Sequence, residues 1–459
     1  MAQEVGGVEM ALKDVMLASC NVDEGHQVSS TDFDVAYLQS QPWLNKLVLI
    51  VYRNPFTGED VYEWINGVIY GMQTGAYDWK DTLAAVLTTD LGFVELYNMQ
   101  SMYHHPDRKI DVACHVDDPL TVTRSAADKE WFYTELSKVF DTKGDKTLSS
   151  DLALDYLSVR VSMNGTGDIR LDNAVKIESY LKEKGMEMCN PAQQPLQKDT
   201  LKTLYKNKAA GKLQSTADQE LTGKWLGEAQ WLSQTTHPVI LPALSILSSI
   251  KTTEGTLHAL KHLFRYLKGK QDYALVKEIG NREGFVVTSD ADWAGLFDLS
   301  GGLELRSRTG IQITYDGMPI TCKSYFQKCS STNYKPGVNY TAEHLATSSA
   351  DSELHAAKDA LSEALHLRFV AEELEIPLSE KIIIGVDAGA ALGFIKNTST
   401  CSSNLKHINL RLAWVRQIRD RSLVEFVKIP GVDNPSDLFT KVQGLQVFKE
   451  MESKLMKKL

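Results

Sequence analysis

Cysteine, long apolar runs and excess positive charge are all scarce in this sequence of 459 residues. The six cysteines form no CxxC pair, which argues against a zinc site or a disulfide framework and favours a reducing compartment. The longest apolar runs, at 47–52 and 382–386, have the length of a strand, so no membrane-spanning helix is expected. The net charge of −10 excludes a basic surface over the whole molecule.

The remaining composition is that of an ordinary globular protein, with 43% hydrophobic and 24% charged residues. A chain of this length exceeds a single hydrophobic core, so two or three domains are expected. Positive charge is concentrated in residues 251–270 and 406–421. Each stretch has two interpretations, a solvated helix face or a surface for a nucleic-acid backbone.

Apolar periodicity predicts a mixed α/β fold. A strand leading into a turn is predicted at 27–37, and residues 170–270 are predicted to be mainly helical. From residue 284, short strands precede alternating helices and strands, which indicates a mixed sheet and a domain boundary near residue 280. Helices are predicted at 12–18, 78–91, 127–140, 350–374, 388–396 and 407–420, and a final helix follows the last strand.

Residues 109–123 alternate apolar and polar side chains around two adjacent aspartates, Asp117 and Asp118. The pattern predicts a β-hairpin with carboxylates at its tip. Neighbouring carboxylates repel each other unless a cation neutralises them, and Asp32 would complete a divalent-metal site. Nucleotidyl transfer needs such a site, because one ion activates a hydroxyl group and another holds a triphosphate. Aspartate is also a common turn former, so a structural turn stays the alternative.

Four carboxylates in the last third of the chain follow predicted strands or lie on predicted helices. Asp290 and Asp387 follow strands, Glu353 lies on the long helix, and Asp437 opens the predicted last helix. Singly, each is a helix cap or a solvated acid. Together they would converge on two divalent ions, which is the arrangement that phosphodiester hydrolysis requires.

Several further segments occur in a characteristic order. They are Asp-x3-Ala-Tyr-Leu at 32–38, Tyr-Gly at 70–71 with Trp79, His-Val-Asp-Asp at 115–118, Leu-Asp-Tyr-Leu at 154–157, and the segments 185–196, 229–243, 259–269, 308–310, 348–353, 406–411 and 434–441. The series resembles the reverse transcriptase–ribonuclease H region of copia-type LTR retrotransposon (Pseudoviridae) Pol polyproteins, over about residues 10–459. The resemblance implies an α/β fold with a palm and partial fingers at 1–165, a mainly helical thumb and connection at 166–280, and an RNase H-like domain at 281–459.

The resemblance also implies roles for individual residues. Catalytic metal ligands would be Asp32, Asp117, Asp118, Asp290, Glu353, Asp387 and Asp437. They would bind two Mg²⁺ or Mn²⁺ ions in each of two active sites. Tyr37 would screen the sugar 2′-position, and substrate contacts would come from Tyr37, Tyr70, Gly71, Lys261, Arg265, His407 and Arg411. For His407, capping of its own helix is the alternative to a phosphate contact.

The activity implied is that of an RNA-directed DNA polymerase that also degrades the RNA strand of a hybrid. Its partners would be an RNA template, a DNA primer strand, RNA–DNA hybrids and deoxynucleoside triphosphates. Integrase and capsid protein of the same element are further expected partners, whereas a membrane is not. The expected location is a cytoplasmic virus-like particle, with the nucleus as a second location.

Departures from the family pattern leave two alternatives open, an active nuclease alone or a non-catalytic nucleic-acid-binding remnant. The family's basic fingers region would precede the first motif and is not represented. His115 replaces a tyrosine, and Pro119 removes a backbone donor after the paired aspartates. Ala388 and Gly389 stand where the family has Asn-Gln. Retention of all seven carboxylates argues against the remnant.

Overall fold

The structure is a computed structural model that describes residues 14–41, 47–327, 346, 348–396 and 406–459, with backbone alone for 406–411. The predicted helix 12–18 appears as α1 over residues 14–18, and its first two residues lie outside the described range. Among the described helices, none combines the length and the apolar composition needed to cross a bilayer.

The first part of the chain builds an antiparallel sheet and a separate hairpin. Its strands are β1 (Gln27–Ser30), β2 (Val48–Arg53), β3 (Asp60–Ile65), β4 (Val94–Leu96), β5 (Met99–His105), β6 (Ile110–His115), β7 (Asp118–Thr123) and β8 (Lys146–Thr147). The sheet order is β4-β5-β6-β7-β1-β8, and β2 pairs only with β3. The predicted hairpin 109–123 is β6–β7, in which Asp111 pairs with Val122 and His115 with Asp118.

Two helices cover one face of this sheet, α2 (Gly75–Ala85) and α3 (Ala126–Ser137). One π-helical turn, Val86–Asp90, extends α2, so the helix predicted at 78–91 is present. The Ser125 side chain accepts a hydrogen bond from the Asp128 amide and thereby caps α3. Phe33, Trp79 and Phe132 lie in the apolar core between these helices and the sheet.

The middle of the chain is mainly helical, as its periodicity predicts. It contains β9 (Leu154–Tyr156), β10 (Val159–Met163), β11 (Ile169–Asp172), α4 (Ala174–Glu183), α5 (Lys198–Ala209), α6 (Thr216–Thr235), α7 (Leu241–Ser249), α8 (Thr256–Lys268) and β12 (Tyr273–Lys277). In α8, Leu260, Leu263 and Leu267 are buried at helical spacing, while Lys261 is exposed. This apolar stripe packs α8 against α6.

The last part is a mixed sheet with helices. It contains β13 (Phe285–Asp292), α9 (Phe297–Ser300), β14 (Arg308–Tyr315), β15 (Met318–Phe326), α10 (Ser349–Glu373), β16 (Ile382–Val386), α11 (Gly389–Lys396), α12 (Lys406–Asp420), β17 (Val424–Lys428), α13 (Leu445–Leu455) and β18 (Lys457–Lys458). The order is β15-β14-β13-β16-β17, with β13, β16 and β17 parallel. Mixed helices and sheets confirm the predicted α/β class.

The last residues of the chain pack against its helical middle part. β18 pairs with β12 in a sheet of order β18-β12-β11-β10-β9. Glu452 of α13 is buried, accepts a hydrogen bond from the Tyr266 hydroxyl and lies 2.7 Å from Lys270 Nζ. This sheet draws strands from all three ranges of the predicted division at residues 165 and 280, and that division stays a prediction.

Candidate active sites

The turn between β6 and β7 presents the two adjacent aspartates. His115 pairs with Asp118, so Val116 and Asp117 form the turn itself. Val116 has a φ of 56°, in the left-handed region that a β-branched residue rarely adopts. The indole Nε1 of Trp79 donates a hydrogen bond of 2.6 Å to the Val116 carbonyl and holds this conformation. The buried core under α2 therefore positions the carboxylate turn.

Asp32 lies beside this turn, although the strand predicted at 27–37 ends at Ser30. The chain bends away at Val35, whose φ is 44°, and a short 3-10 helix follows at Ala36–Gln39. The Phe33 amide donates a hydrogen bond of 3.2 Å to the Asp117 carbonyl. The prediction of a continuous strand to residue 37 was wrong because local alternation carries no information about this bend.

The three aspartates are electrostatic neighbours. Partial loss of water around its carboxylate, and then the charges of Asp117 and Asp32, raise the pKa of Asp118. Within the described part of the chain, these side chains do not bring one oxygen each within 4.8 Å of the others. Lys143 Nζ lies 2.6 Å from Asp32 Oδ2, and this hydrogen bond raises the pKa of Lys143. Sequence reasoning missed Lys143, a loop lysine with no distinguishing pattern.

The predicted sugar-contacting tyrosine, Tyr37, faces a second tyrosine. The rings of Tyr37 and Tyr70 are 4.9 Å apart at 31°. A Cβ on Gly75 would lie 3.4 Å from the Tyr37 ring, so this glycine leaves room for it. Gly71 has a φ of 98°, a conformation that favours glycine. Of the two predicted substrate-contacting residues at 70–71, Tyr70 therefore lies against Tyr37.

The Leu-Asp-Tyr-Leu segment at 154–157 belongs to the β9–β10 hairpin, with a turn at Leu157 and Ser158. The Tyr156 hydroxyl donates a hydrogen bond of 3.1 Å to the Ala113 carbonyl of β6. The bond joins this hairpin to the strand that carries the aspartate turn.

The predicted basic contacts have mixed outcomes. Arg265 Nε donates a hydrogen bond of 2.7 Å to the Asn190 carbonyl, which ties α8 to a neighbouring loop. Lys261 is exposed on the same helix. The side chains of His407 and Arg411 lie outside the described residues. Further along the second basic stretch, Arg416 Nε donates a hydrogen bond of 3.1 Å to the Phe394 carbonyl at the end of α11.

A second carboxylate cluster lies at the edge of the mixed sheet. Parallel pairing of Ser289 with Val386 sets the following residues, Asp290 and Asp387, side by side. The helix α10 packs across β13 and brings Glu353 to the same edge. One carboxylate oxygen from each of Asp290, Glu353 and Asp387 lies within 4.8 Å of the other two. Three elements distant in sequence thus converge at one point.

Burial raises the pKa of two of these carboxyl groups, Glu353 and Asp290. Burial, and then the charges of Asp290 and Asp387, raise the pKa of Glu353 to about 9. Burial also raises the pKa of Asp290 to about 6. Glu353 Oε2 is buried without a hydrogen-bond partner among the described residues. A divalent cation fits this oxygen-donor set, because it would satisfy the orphaned oxygen and neutralise the acids.

Asp437 occupies a different place from the one predicted. It lies in the short 3-10 helix Pro435–Phe439, whereas the last α-helix begins only at Leu445. Pro435 begins this turn, and Asn434 accepts a hydrogen bond from the Ser436 amide, which explains the early start. The carboxylate of Asp437 contacts Lys441 and Gln443 and is not one of the converging trio.

A buried arginine supports the segment that follows Asp437. The Arg308 guanidinium donates hydrogen bonds to the Thr440 carbonyl (3.1 Å), the Pro242 carbonyl (3.3 Å) and the Ser324 hydroxyl (2.7 Å). Burial lowers the pKa of Arg308 to about 10. The Thr440 hydroxyl donates to Asp290, so Arg308 positions a residue that contacts the trio. Sequence reasoning gave neither residue a role.

Comparisons with known proteins show which proteins this chain resembles. Residues 9–198 match the family model described as reverse transcriptase (RNA-dependent DNA polymerase). The chain is 24% identical over 391 residues to the retrovirus-related Pol polyprotein from transposon TNT 1-94 of Nicotiana tabacum, covering 82% of the chain and 27% of that protein. It is 25% identical over 441 residues to the corresponding polyprotein from transposon RE1 of Arabidopsis thaliana, covering 95% and 28%.

The chain spans little more than a quarter of the length of these relatives. The matched residues contain the aspartate turn, Asp32 and the β9–β10 hairpin. Residues 9–198 therefore resemble the reverse transcriptase family, and the chain is similar to a part of the Pol polyproteins of plant retrotransposons.

Proposed function

We propose that this chain copies RNA into DNA at Asp32, Asp117 and Asp118. The observation that carries the proposal is the aspartate turn beside Asp32, within residues that match the reverse transcriptase family. Mg²⁺ or Mn²⁺, two ions in the proposed site, would supply activation of the primer hydroxyl and charge neutralisation at the triphosphate. The chain's own residues orient these groups, and Trp79 holds the turn on which two of the ligands lie.

Two neighbouring features bear on the substrate and on the metal site. The paired rings of Tyr37 and Tyr70 form a wall that would exclude a ribose 2′-hydroxyl. Lys143 Nζ lies 2.6 Å from Asp32 Oδ2, so a metal ion bound by Asp32 would have to displace this ammonium. The proposed substrates are accordingly an RNA template, a DNA primer strand and deoxynucleoside triphosphates.

Primer extension on an RNA template tests the polymerase proposal. Asp117→Asn and Asp118→Asn each should lower the rate by at least about 100-fold, equivalent to about 2.7 kcal/mol of transition-state stabilisation. Asp107→Asn is the matched control, because this exposed aspartate lies in the β5–β6 turn at the other end of β6. Equal rates for the control and the two turn variants would refute the proposal.

We propose a second activity, hydrolysis of the RNA strand of an RNA–DNA hybrid at Asp290, Glu353 and Asp387. It is supported by convergence of the three carboxylates within 4.8 Å and by the unpartnered buried Glu353 Oε2. Two ions at this site would activate water and neutralise the leaving oxygen. Hybrid selection would follow duplex shape and 2′-hydroxyl contacts.

Cleavage of a labelled hybrid tests the nuclease proposal in the full chain. Asp387→Asn should lower Mg²⁺-dependent cleavage by at least about 100-fold, and Asp298→Asn, exposed on α9, should leave it unchanged. A hybrid cleaved equally by both variants would exclude this site.

A nuclease without polymerase activity is the second candidate function. It is favoured by one difference, namely that the nuclease carboxylates converge within 4.8 Å whereas, among the described residues, Asp32, Asp117 and Asp118 do not. Hybrid cleavage without primer extension would identify it. The three-part division at residues 165 and 280, partnership with integrase and capsid protein, and residence in a cytoplasmic virus-like particle and the nucleus remain part of the proposal.

A further inference from the structure

The fourth predicted nuclease ligand, Asp437, already has donors from its own chain. Lys441 Nζ contacts Asp437 Oδ1, and Gln443 Nε2 donates a hydrogen bond of 2.6 Å to Asp437 Oδ2. Both carboxylate oxygens are therefore engaged by side chains that follow within six residues. An acid held in this way is not available to a metal ion until at least one donor leaves.

The ammonium of Lys441 also acts on the rest of the site. Its positive charge lowers the pKa of Asp290, Asp292 and Glu353 against the larger effect of their burial. Thr440, the residue before it, donates a hydrogen bond to Asp290. The position of Lys441 is thus set by a backbone segment that Arg308 fixes through the Thr440 carbonyl, at 3.1 Å.

Charge balance gives this contact a consequence. When all three carboxylates of the trio are ionised, one divalent ion reduces their total charge from −3 to −1. Asp437 is matched separately by Lys441, its partner four residues later. A second divalent ion would be repelled by the ammonium, and both oxygens of Asp437 are already engaged.

We propose that Lys441 is a built-in cation that holds Asp437 in place of a second metal ion, so that the nuclease site without nucleic acid takes one divalent ion. Lys441 is a positioning residue in this scheme, and the inference rests on the proposed nuclease function. The unpartnered Glu353 Oε2 marks the trio as the position of the single ion.

Mn²⁺ binding to the full chain, measured by calorimetry and by electron paramagnetic resonance, tests the inference without an activity readout. Asp117→Asn and Asp118→Asn are included throughout to weaken the polymerase site. The parent should bind one Mn²⁺ at the nuclease site, and Lys441→Met should bind two. The second ion should bind at least about tenfold more tightly than in the parent, equivalent to about 1.4 kcal/mol.

Two controls separate charge from other effects. Lys441→Arg retains the charge and should keep one ion, whereas Lys454→Met, an exposed lysine of α13, should match the parent. Adding Asp437→Asn to Lys441→Met should return the number of Mn²⁺ ions bound at the nuclease site to one. Thermal melting reports whether each variant is folded. An unchanged Mn²⁺ number and affinity in folded Lys441→Met would overturn the inference, and so would weaker binding.

The two proposals fail in different ways. Asp387→Asn should remove the Mn²⁺ that the parent binds at this site. If it does not, the proposed nuclease site itself is refuted. Two ions in the parent, both sensitive to Asp387→Asn, would refute only the assignment of Lys441.

Discussion

Glu353 is the side chain whose charge depends most on what else occupies the nuclease site. Its pKa is raised from 4.5 to about 9 by burial and by the charges of Asp290 and Asp387. Without metal, the folded chain therefore holds a proton on Glu353 at neutral pH. A carboxylate must lose that proton to bind a cation, so metal binding at this site releases protons and strengthens as pH rises.

The raised pKa of Glu353 should make the stability of the metal-free chain depend on pH. Because the folded pKa is higher than the unfolded one, the contribution of Glu353 is fully present below pH 4.5 and is lost as pH rises through about 9. As pH rises from 4.5 to about 9, the free energy of unfolding should fall further in wild type than in Glu353→Gln. The difference should be at least about 1.4 kcal/mol, the equivalent of one pKa unit. Urea denaturation with a chelator at several pH values measures it, and parallel pH profiles would contradict the assignment.

Trp79 links the apolar core to the polymerase turn through one hydrogen bond. Trp79→Phe removes the 2.6 Å bond to the Val116 carbonyl while retaining an aromatic ring. We expect a stability loss of about 1 kcal/mol together with a larger fall in primer extension, because Val116 loses the contact that holds its φ of 56°. Trp231→Phe, on α6, is the control. A proportional effect on stability and activity in both variants would argue against a positioning role.

Strand β14 connects the nuclease edge to the middle of the chain through Arg308. Its hydrogen bonds join three elements, namely α7, β15 and the segment after Asp437. Arg308 reaches its three acceptors through two nitrogens, whereas the three donors of a lysine all lie on one nitrogen, which cannot approach acceptors that are so far apart. The position of these elements therefore favours arginine at this point of the strand.

Arg308→Lys should destabilise the chain by about 2 kcal/mol, since buried acceptors would lose their donors. Arg306→Lys, a change in a partly exposed side chain that pairs with the buried carboxylate of Glu304, should cost less, because lysine retains the charge that faces Glu304. Urea denaturation of both variants provides the comparison. Equal losses would mean that the hydrogen bonds of Arg308 contribute no more to stability than the Arg306–Glu304 pair does.

Across the molecule, the last residues join the mixed sheet to the helical middle part. β18 extends the sheet of β12, and Glu452 forms a buried ion pair with Lys270 beside the Tyr266 hydroxyl. A fragment that begins after β12 would leave these groups without their partners. The nuclease part is therefore best studied in the full chain.

Glu452→Gln should lower the unfolding free energy by about 3 kcal/mol, because it leaves the Lys270 charge buried without its partner. Glu450→Gln, exposed two residues earlier on α13, is the matched control and should change it by less than about 0.5 kcal/mol. A double-mutant cycle with Lys270→Gln isolates the pair. If the cycle gives no coupling, the ion pair does not hold the two parts together.

Local pattern alone determined the class of fold, the β6–β7 hairpin and the positions of Asp290, Glu353 and Asp387 on their elements. Alternation and helical spacing are set by neighbours within a few residues, so they can be read from the chain directly. Family resemblance implied a role for Tyr37 and supported the metal-binding role predicted for Asp32, and both roles stay predictions. The order of these motifs along the chain is likewise a property of the sequence alone.

Only the tertiary structure decided which charges meet. Lys143 contacts Asp32 across 111 residues, and Arg308 reaches Thr440 across 132. Lys441 lies only four residues after Asp437, yet its relation to Asp290 depends on how the segment folds against β13. Such contacts depend on packing between distant elements and leave no periodic trace in the sequence, which is why Asp437 was assigned to the wrong helix and β18 was not anticipated.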